Sequence, residues 1–127
     1  MKCILDTHFL IWILSNSTRL KSYRWLDRYR PWGLSPISLL EMQFLAECGK
    51  IQLNTEAFLP LLSQDPRFLL DDIPSHALIL SSLELAWTRD PFDRLLAAHS
   101  LARRLPLCSV DQHILDNHRL VPKETVL

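Results

Sequence analysis

The chain reads as a three-layer α/β/α domain around a mainly parallel central sheet. Short apolar runs alternate with longer capped stretches along its whole length, the pattern that parallel sheets with crossover helices produce. Its 127 residues, 48% of them apolar, suffice for one domain with a real core and are too few for two. No internal repeat, low-complexity tract or linker interrupts the alternation. Acidic residues close or follow several of the apolar runs, where such a fold gathers ligands.

The elements follow in order. Residues 2–5 (Lys-Cys-Ile-Leu) suit a buried strand. Asp6-Thr7 cap a helix from about His8 to Leu14, and Asn16, Ser17 and Thr18 break it. A polar helix is expected from Thr18 to Tyr29, ended by Arg30-Pro31. Trp32-Gly33-Leu34 is a second strand. Ser35-Pro36 opens the next helix, with Ser as N-cap and Pro at the first helical position. That helix reaches Cys48, where Gly49 is a natural stop. Ile51–Leu53 is a short strand or a connector. Glu56–Ser63 is a weaker helix, because Pro60 lies inside it. Phe68-Leu69-Leu70 begins a third strand, broken by Asp71-Asp72 and Pro74. Ser75–Leu85 reads as helix. Asp90-Pro91 starts a strong helix to Arg104. Leu107-Cys108-Ser109-Val110 is another strand, Asp111 to Asn117 another helix, and Glu124–Leu127 a candidate last strand.

Bulk properties narrow the class. Formal net charge is +0 with a pI near 7.0, so no global basic signature marks a nucleic-acid binder, and polyanion contact would rest on local patches. Cys3, Cys48 and Cys108 are odd in number and lie in apolar segments, which suits buried free thiols in a reducing compartment. The start resembles a secretory leader, but Asp6 and His8 interrupt the apolar stretch and no small-residue cleavage site follows. No segment reaches the ~20 apolar residues of a membrane span. The expectation is a soluble, cytoplasmic protein without a membrane partner.

Four carboxylates carry the chemistry: Asp6, Glu41, Asp93 and Asp111. Asp6 and Asp111 follow predicted strands directly, so both should point at the carboxyl edge of the sheet. Each has a second reading as a helix N-cap. Glu41 lies on a helical stripe with Ile37, Ser38, Phe44, Leu45 and Cys48, where a carboxylate is costly unless neutralised; at the border of the stripe it would instead reach water. In Asp90-Pro91-Phe92-Asp93-Arg94, a helix start explains both acids structurally. We assign Asp90 mainly to the cap and Asp93 mainly to function. Asp116 reads as part of a solvated helix face. Converging carboxylates repel one another unless a cation joins them. Oxygen ligands without a His or Cys cluster point to Mg²⁺ or Mn²⁺ rather than zinc. Such an ion leaves positions open for phosphate oxygens, as phosphodiester hydrolysis requires.

Other candidates carry less. His99 shares a face with Phe92, Leu95 and Leu96 and reads as a core histidine. His8 reads as a packing residue beside the site. His113 and His118 lack i,i+4 spacing, and no zinc motif surrounds them. With Gly33 and Gly49 its only glycines, the chain has no phosphate-cradling loop and no nucleophile elbow.

On four stretches the chain resembles the PIN-domain family, and within it the VapC-like toxins of toxin–antitoxin pairs. They are Leu5-Asp6-Thr7-His8 through Leu10-Ile11-Trp12, Ser35-Pro36-Ile37-Ser38-Leu39-Leu40-Glu41, Asp90 through Ala98, and Ser109-Val110-Asp111. One such stretch is weak; four in order across nearly the whole chain are fairly specific. The resemblance implies a PIN-like fold over residues 1–127, Mg²⁺- or Mn²⁺-dependent endoribonuclease activity on an RNA substrate, a homodimer and a cognate antitoxin. Carried over by position, Asp6, Glu41, Asp93 and Asp111 form the acidic site. Asp6 and Asp93 are the leading metal ligands, with Glu41 and Asp111 as further candidates. Thr7 and Ser38 support it, Asp90 matches an extra acid of the subfamily, and Ser109 stands where the family usually has Thr and keeps the hydroxyl. Arg89 and Arg94 flank the site as phosphate contacts, with Arg94 alternatively holding an acid in place.

Arg19, Lys21, Arg24, Arg28 and Arg30 form a basic segment, read equally as an RNA surface and as a solvated face. Tyr23, Trp25 and Tyr29 lie among them and would stack on bases, pack on the core or meet a partner. Trp12, Trp25, Trp32 and Trp87 exceed what so small a core easily buries, so some are expected at a dimer or antitoxin interface. Two rival readings stay open. One is a non-catalytic partner-binding module whose acids are helix caps. The other is a DNA nuclease or phosphatase on a related scaffold, although the Asp-x-Asp-x-Thr start of one large phosphatase class is missing.

Overall fold

Strands β1 (Cys3–Leu5), β2 (Trp32–Leu34), β3 (Phe68–Leu70) and β4 (Leu107–Cys108) form one sheet in the computed structural model, which describes residues 1–126. Every pairing is parallel, in the order β3-β2-β1-β4. The connecting helices are α1 (Thr7–Leu14), α2 (Pro36–Glu47), α3 (Thr55–Gln64), α4 (Ser75–Ser82), α5 (Pro91–Arg103) and α6 (Gln112–Asn117).

Strand alternation splits the apolar residues between two cores, because successive side chains point to opposite faces. Cys3, Leu5 and Cys108 pack with Phe9, Leu10 and Ile13 of α1, Met42 of α2 and Leu62 of α3. Ile4 and Leu107 pack on the other face with Leu78 of α4, Leu96, Ala97 and Ala98 of α5, and Ile114 of α6. The three-layer architecture expected from the sequence is therefore present.

Local chemistry fixes the helix ends. Ser35 caps α2 by accepting from the Ile37 amide (3.2 Å), with Pro36 at the first turn. Gly49, at φ 73°, closes α2. Its N–H bonds Ala46 O and that of Lys50 bonds Leu45 O, a Schellman end for which a left-handed glycine is well suited. Gly33 lets β2 approach β1: a Cβ there would lie 2.6 Å from Cys3 O and 2.7 Å from Met1 Sδ.

Three sequence expectations change. The polar helix from Thr18 to Tyr29 is instead two 3₁₀ segments, Thr18–Ser22 and Arg24–Tyr29. The reason is legible in the chain: Leu20, Tyr23, Leu26 and Tyr29 recur every third residue, and side chains three apart align on a 3₁₀ helix. Ile51–Leu53 is a connector, the second of its two readings. The tail forms a 3₁₀ turn at Lys123–Thr125 in place of a strand, and Leu127 lies outside the described residues. Cys3 and Cys108 are buried free thiols as expected, but Cys48 is exposed at the end of α2.

The sheet order sets the functional edge. The chain steps from β1 to β2 to β3, then returns to place β4 on the other side of β1. The order reverses between β1 and β4, and ligands of open α/β sheets collect beyond the strand carboxyl ends at such a switch.

Candidate acidic site

A buried polar residue directly follows each strand: Asp6, Ser35, Asp71 and Ser109. Register then makes neighbours of them. Leu5 lies opposite Cys108, so the next pair is Asp6 and Ser109, and the Ser109 hydroxyl donates to Asp6 Oδ2 (2.6 Å). Ser109 Oγ also accepts from the Asp111 amide (3.0 Å), which orients the start of α6. The hydrogen bond expected of a hydroxyl at position 109 is present.

Asp6 occupies the N-cap position of α1 yet its side chain makes no capping bond. Its carboxylate, 2% exposed, faces the switch point instead. Asp90 and Asp111 behave differently. Asp90 accepts from the Phe92 and Asp93 amides, and Asp111 from those of His113 and Ile114. The cap expectation thus describes Asp90 and Asp111 but not Asp6. Asp111 caps α6 and also acts electrostatically on Asp6.

Glu41 lies on the buried side of α2, 8% exposed. Among the described residues its Oε1 is the one buried side-chain polar atom without a hydrogen-bond partner. Thr7 and Ser38 line the same spot, with the Thr7 hydroxyl donating to Ser38 Oγ (3.0 Å). Burial raises the Glu41 carboxyl above its ordinary value. Thr7 and His8 oppose the rise, and Asp6 and Asp90 add to it. Asp6 is likewise raised by burial, against the Ser109 hydrogen bond, His8 and the Thr7 amide, with Asp111 adding to the rise. Asp93, in the first turn of α5, is pushed up to about 7, first by burial and then by Asp90, Asp6, Asp111 and Glu41. Each of the other acids acts on Asp93, so the carboxylates named from the sequence share one electrostatic neighbourhood.

That neighbourhood is open. Among the described residues no three His, Cys, Asp or Glu side chains are gathered tightly enough to hold a metal ion between them. The donor set nonetheless suits a hard cation: all oxygen, crowded with like charge, and carrying an orphaned buried carboxylate oxygen.

Several neighbours differ from expectation. His8 is exposed rather than packed, and it counters the charge of Asp6 and Glu41. Arg94 does not hold an acid: Nε donates to Ser82 O (2.8 Å) and a terminal nitrogen to Leu83 O (3.3 Å), tying α5 to the end of α4. Arg89 is exposed next to Asp90. Tyr23 and Trp25 pack edge-on against Phe9 at 5.3 and 6.0 Å between centroids, and Trp25 meets Tyr29 in the same way. These rings therefore serve the core. The arginines beside them are exposed, with Arg28 bonded to Glu124 and Arg30 to Asp27. Trp32 is buried, and Trp12, Trp25 and Trp87 are half-buried. Large exposed apolar residues include Leu40 and Phe44 of α2, Ile79 and Leu80 of α4 with Leu83 just after it, and Leu69 and Leu70 of β3.

One network escaped the sequence reading. His99 is a core histidine, as expected, but it bridges two strand ends. Its Nδ1 meets Ser35 Oγ (2.7 Å) and its Nε2 meets Asp71 Oδ2 (2.6 Å). Arg103 donates to both Asp71 oxygens, at 2.7 and 2.8 Å. Burial alone would raise the Asp71 carboxyl, but Arg103 and His99 hold it below its usual range. Burial also lowers His99, so the neutral ring donates Nε2–H to Asp71 and accepts the Ser35 hydroxyl at Nδ1. Position was the available signal, since Asp71 follows β3 as Asp6 follows β1.

Fold and site together define an α/β protein with a carboxylate cluster at the sheet's switch point. The PIN domain family model matches residues 3–119, and the chain belongs to that family. PIN domains are generally nucleases that use divalent metal ions. No curated protein matches the chain. No helix of the described residues is long and apolar enough to cross a membrane.

Proposed function

We propose that this PIN domain is a Mg²⁺- or Mn²⁺-dependent endoribonuclease, acting as the toxin of a toxin–antitoxin pair. One observation carries the catalytic part. Asp6 and Glu41 are buried and Asp93 half-buried without being used as caps or ion pairs, and burial with the repulsion of neighbouring acids raises all three carboxyls. A binding module has no use for so costly an arrangement, whereas a cation site requires it.

Asp6 and Asp93 would hold the cation, with Glu41 and Asp111 completing the acidic wall. A bound Mg²⁺ or Mn²⁺ supplies Lewis acidity at a scissile phosphate and a water of lowered pKa. The chain's own residues do the rest. Ser109 fixes the Asp6 carboxylate and the entry to α6 together. Thr7 and Ser38 lock α1 to α2 beside Glu41. Asp90 sets the first turn of α5, from which Asp93 projects. The exposed Arg89 is available to an incoming phosphate.

RNA as substrate and the toxin role rest on the resemblance of the four motif stretches to VapC-like proteins. The apolar surfaces of α2 and α4 favour a partner chain, either a second copy in a homodimer or the antitoxin. The deciding experiment is cleavage of a mixed RNA and of a matched DNA by the purified protein, with Mn²⁺, with chelator, and with Asp6→Asn. The expected result is RNA cleavage that both chelator and Asp6→Asn abolish. Metal-independent cleavage, or full activity of folded Asp6→Asn, would refute it.

A further inference from the structure

A second feature lies toward the other end of α5 and α6 from the acids. A cavity of about 210 Å³ opens between the segment before α5 and the end of α6, walled by Leu85, Leu101, Trp87 and His118, with Glu84 and Arg119 at its rim. That volume is below the ~300–1,000 Å³ of pockets for drug-sized ligands, so it suits one ring system.

His118 gives the cavity its polarity. The residue is 4% exposed. The Ser100 hydroxyl donates to Leu105 O, so Ser100 Oγ accepts from His118 Nε2 (2.9 Å). Nε2 therefore carries the ring proton, and Nδ1 is a bare acceptor. Among the described residues Nδ1 has no hydrogen-bond partner, yet it is not enclosed as Glu41 Oε1 is. His118 lines the cavity. Burial, with Arg119 nearby, lowers the ring to about 4, so it is a neutral acceptor at physiological pH.

Trp87 supplies an aromatic wall and a link to the acids. Its indole lies 6.4 Å from the His118 ring, tilted 41°. His113 Nε2 donates to Trp87 O (2.9 Å), while the His113 amide donates to Asp111 Oδ1 (2.8 Å). The next residue, buried Thr88, accepts from the Asp90 amide (3.1 Å). The Trp87 wall is thus tied to two residues of the acidic edge, Asp90 and Asp111.

We propose that this cavity is a subsite for one nucleobase of a bound RNA, which offers an N–H to His118 Nδ1 and stacks on Trp87. The subsite rests on the nuclease reading for its substrate, but binding there is testable without cleavage. Adenosine monophosphate is the probe, because the only N–H groups on its base are those of the amino group; N6,N6-dimethyladenosine monophosphate lacks them.

The wild-type protein, labelled with ¹⁵N at histidine and kept in chelator, would be titrated with each nucleotide. The expected result is a saturable shift of the His118 Nδ1 resonance with adenosine monophosphate. Affinity for the dimethyl analogue should be roughly 10-fold weaker, as for one lost hydrogen bond. Trp87→Ala should weaken binding by about 10-fold or more, with part of it recovered by Trp87→Phe. No His118 response at millimolar nucleotide overturns the subsite, as do shifts confined to other histidines or equal affinity for both nucleotides. A protein that cleaves RNA but shows no His118 response refutes the subsite alone. One that binds adenosine monophosphate at His118 but leaves RNA intact with Mn²⁺ retains the base site and counts against the nuclease.

Discussion

Asp93→Asn separates a cation site from a helix start. The Asp93 carboxyl is held up at about 7 against an ordinary 3.8. Its folded pKa is raised, so between those values the folded protein keeps a proton that the unfolded chain has released. Stability of the metal-free protein therefore falls as pH rises through that window, and the full penalty stands above about 7. A shift of that size corresponds to about 4 kcal/mol at 1.36 kcal/mol per unit. Asp93 is partly exposed, and solvent screening reduces the figure to about 2 kcal/mol. Asparagine removes this penalty and also loses the favourable interaction of a charge with the first turn of α5, about 0.3–1 kcal/mol. The net gain in chelator at pH 8 is about 1–2 kcal/mol, or roughly 4–8 °C in melting temperature for a domain of this size. The gain should shrink steadily on acidification and vanish near pH 4.

Thermal melts of wild type and Asp93→Asn at pH 4, 6 and 8, each with chelator and with Mn²⁺, measure all of this. Mn²⁺ should raise the wild-type midpoint, because binding to the folded state alone stabilises it. It should do little for the variant. Single-turnover RNA cleavage should fall by roughly 10²–10⁴, equivalent to about 3–5 kcal/mol of transition-state stabilisation. A purely structural Asp93 predicts the reverse pattern: slight destabilisation at every pH and unchanged activity. If Asp93→Asn melts below wild type at pH 8 in chelator, or its gain does not depend on pH, the argument from converging charge fails.

Three further outcomes follow from the same geometry. Ser109→Ala leaves the buried Asp6 carboxylate without its hydroxyl donor and should cost about 1–3 kcal/mol in denaturant melts, with Ser109→Thr restoring it. Asp71→Asn breaks the ion pair with Arg103 and the His99 bridge, and should cost about 2–4 kcal/mol at neutral pH; because the Asp71 carboxyl is held low, that difference from wild type should disappear only as pH falls below about 3.8. Gly33→Ala places a methyl against the Cys3 carbonyl, which cannot move without parting β1 from β2, and should lower stability by about 1–3 kcal/mol, read as a reduced urea midpoint.

The parts of this molecule that were legible in the chain are those whose cause is local. Three-residue strands announce themselves as apolar runs, and Ser35-Pro36 and Asp90-Pro91 mark helix starts through their own backbone chemistry. The family motifs then order the acids. Yet position after a strand does not say what a carboxylate does: Asp111 caps its helix and Asp6, in the same place, does not. The difference lies in a residue 103 positions away, Ser109, whose hydroxyl holds Asp6 across the switch point. The Ser35–His99–Asp71–Arg103 bridge escaped for the same reason. Its members look in sequence like a cap, a core residue, a strand breaker and a surface cation, and only the parallel pairing of β2 with β3 brings them together. The 3₁₀ segments are the opposite case. Their period of three was present in Leu20, Tyr23, Leu26 and Tyr29, but polar residues between them suggested an ordinary solvated α-helix. The aromatics are partly accounted for by one another: Phe9, Trp12, Tyr23, Trp25 and Tyr29 form a ring cluster that half-buries its tryptophans, while exposed leucines, one isoleucine and a phenylalanine add apolar surface on α2 and α4. Those two helices offer a partner chain the apolar surface it needs, and substitutions of Leu40 or Leu80 should weaken its binding.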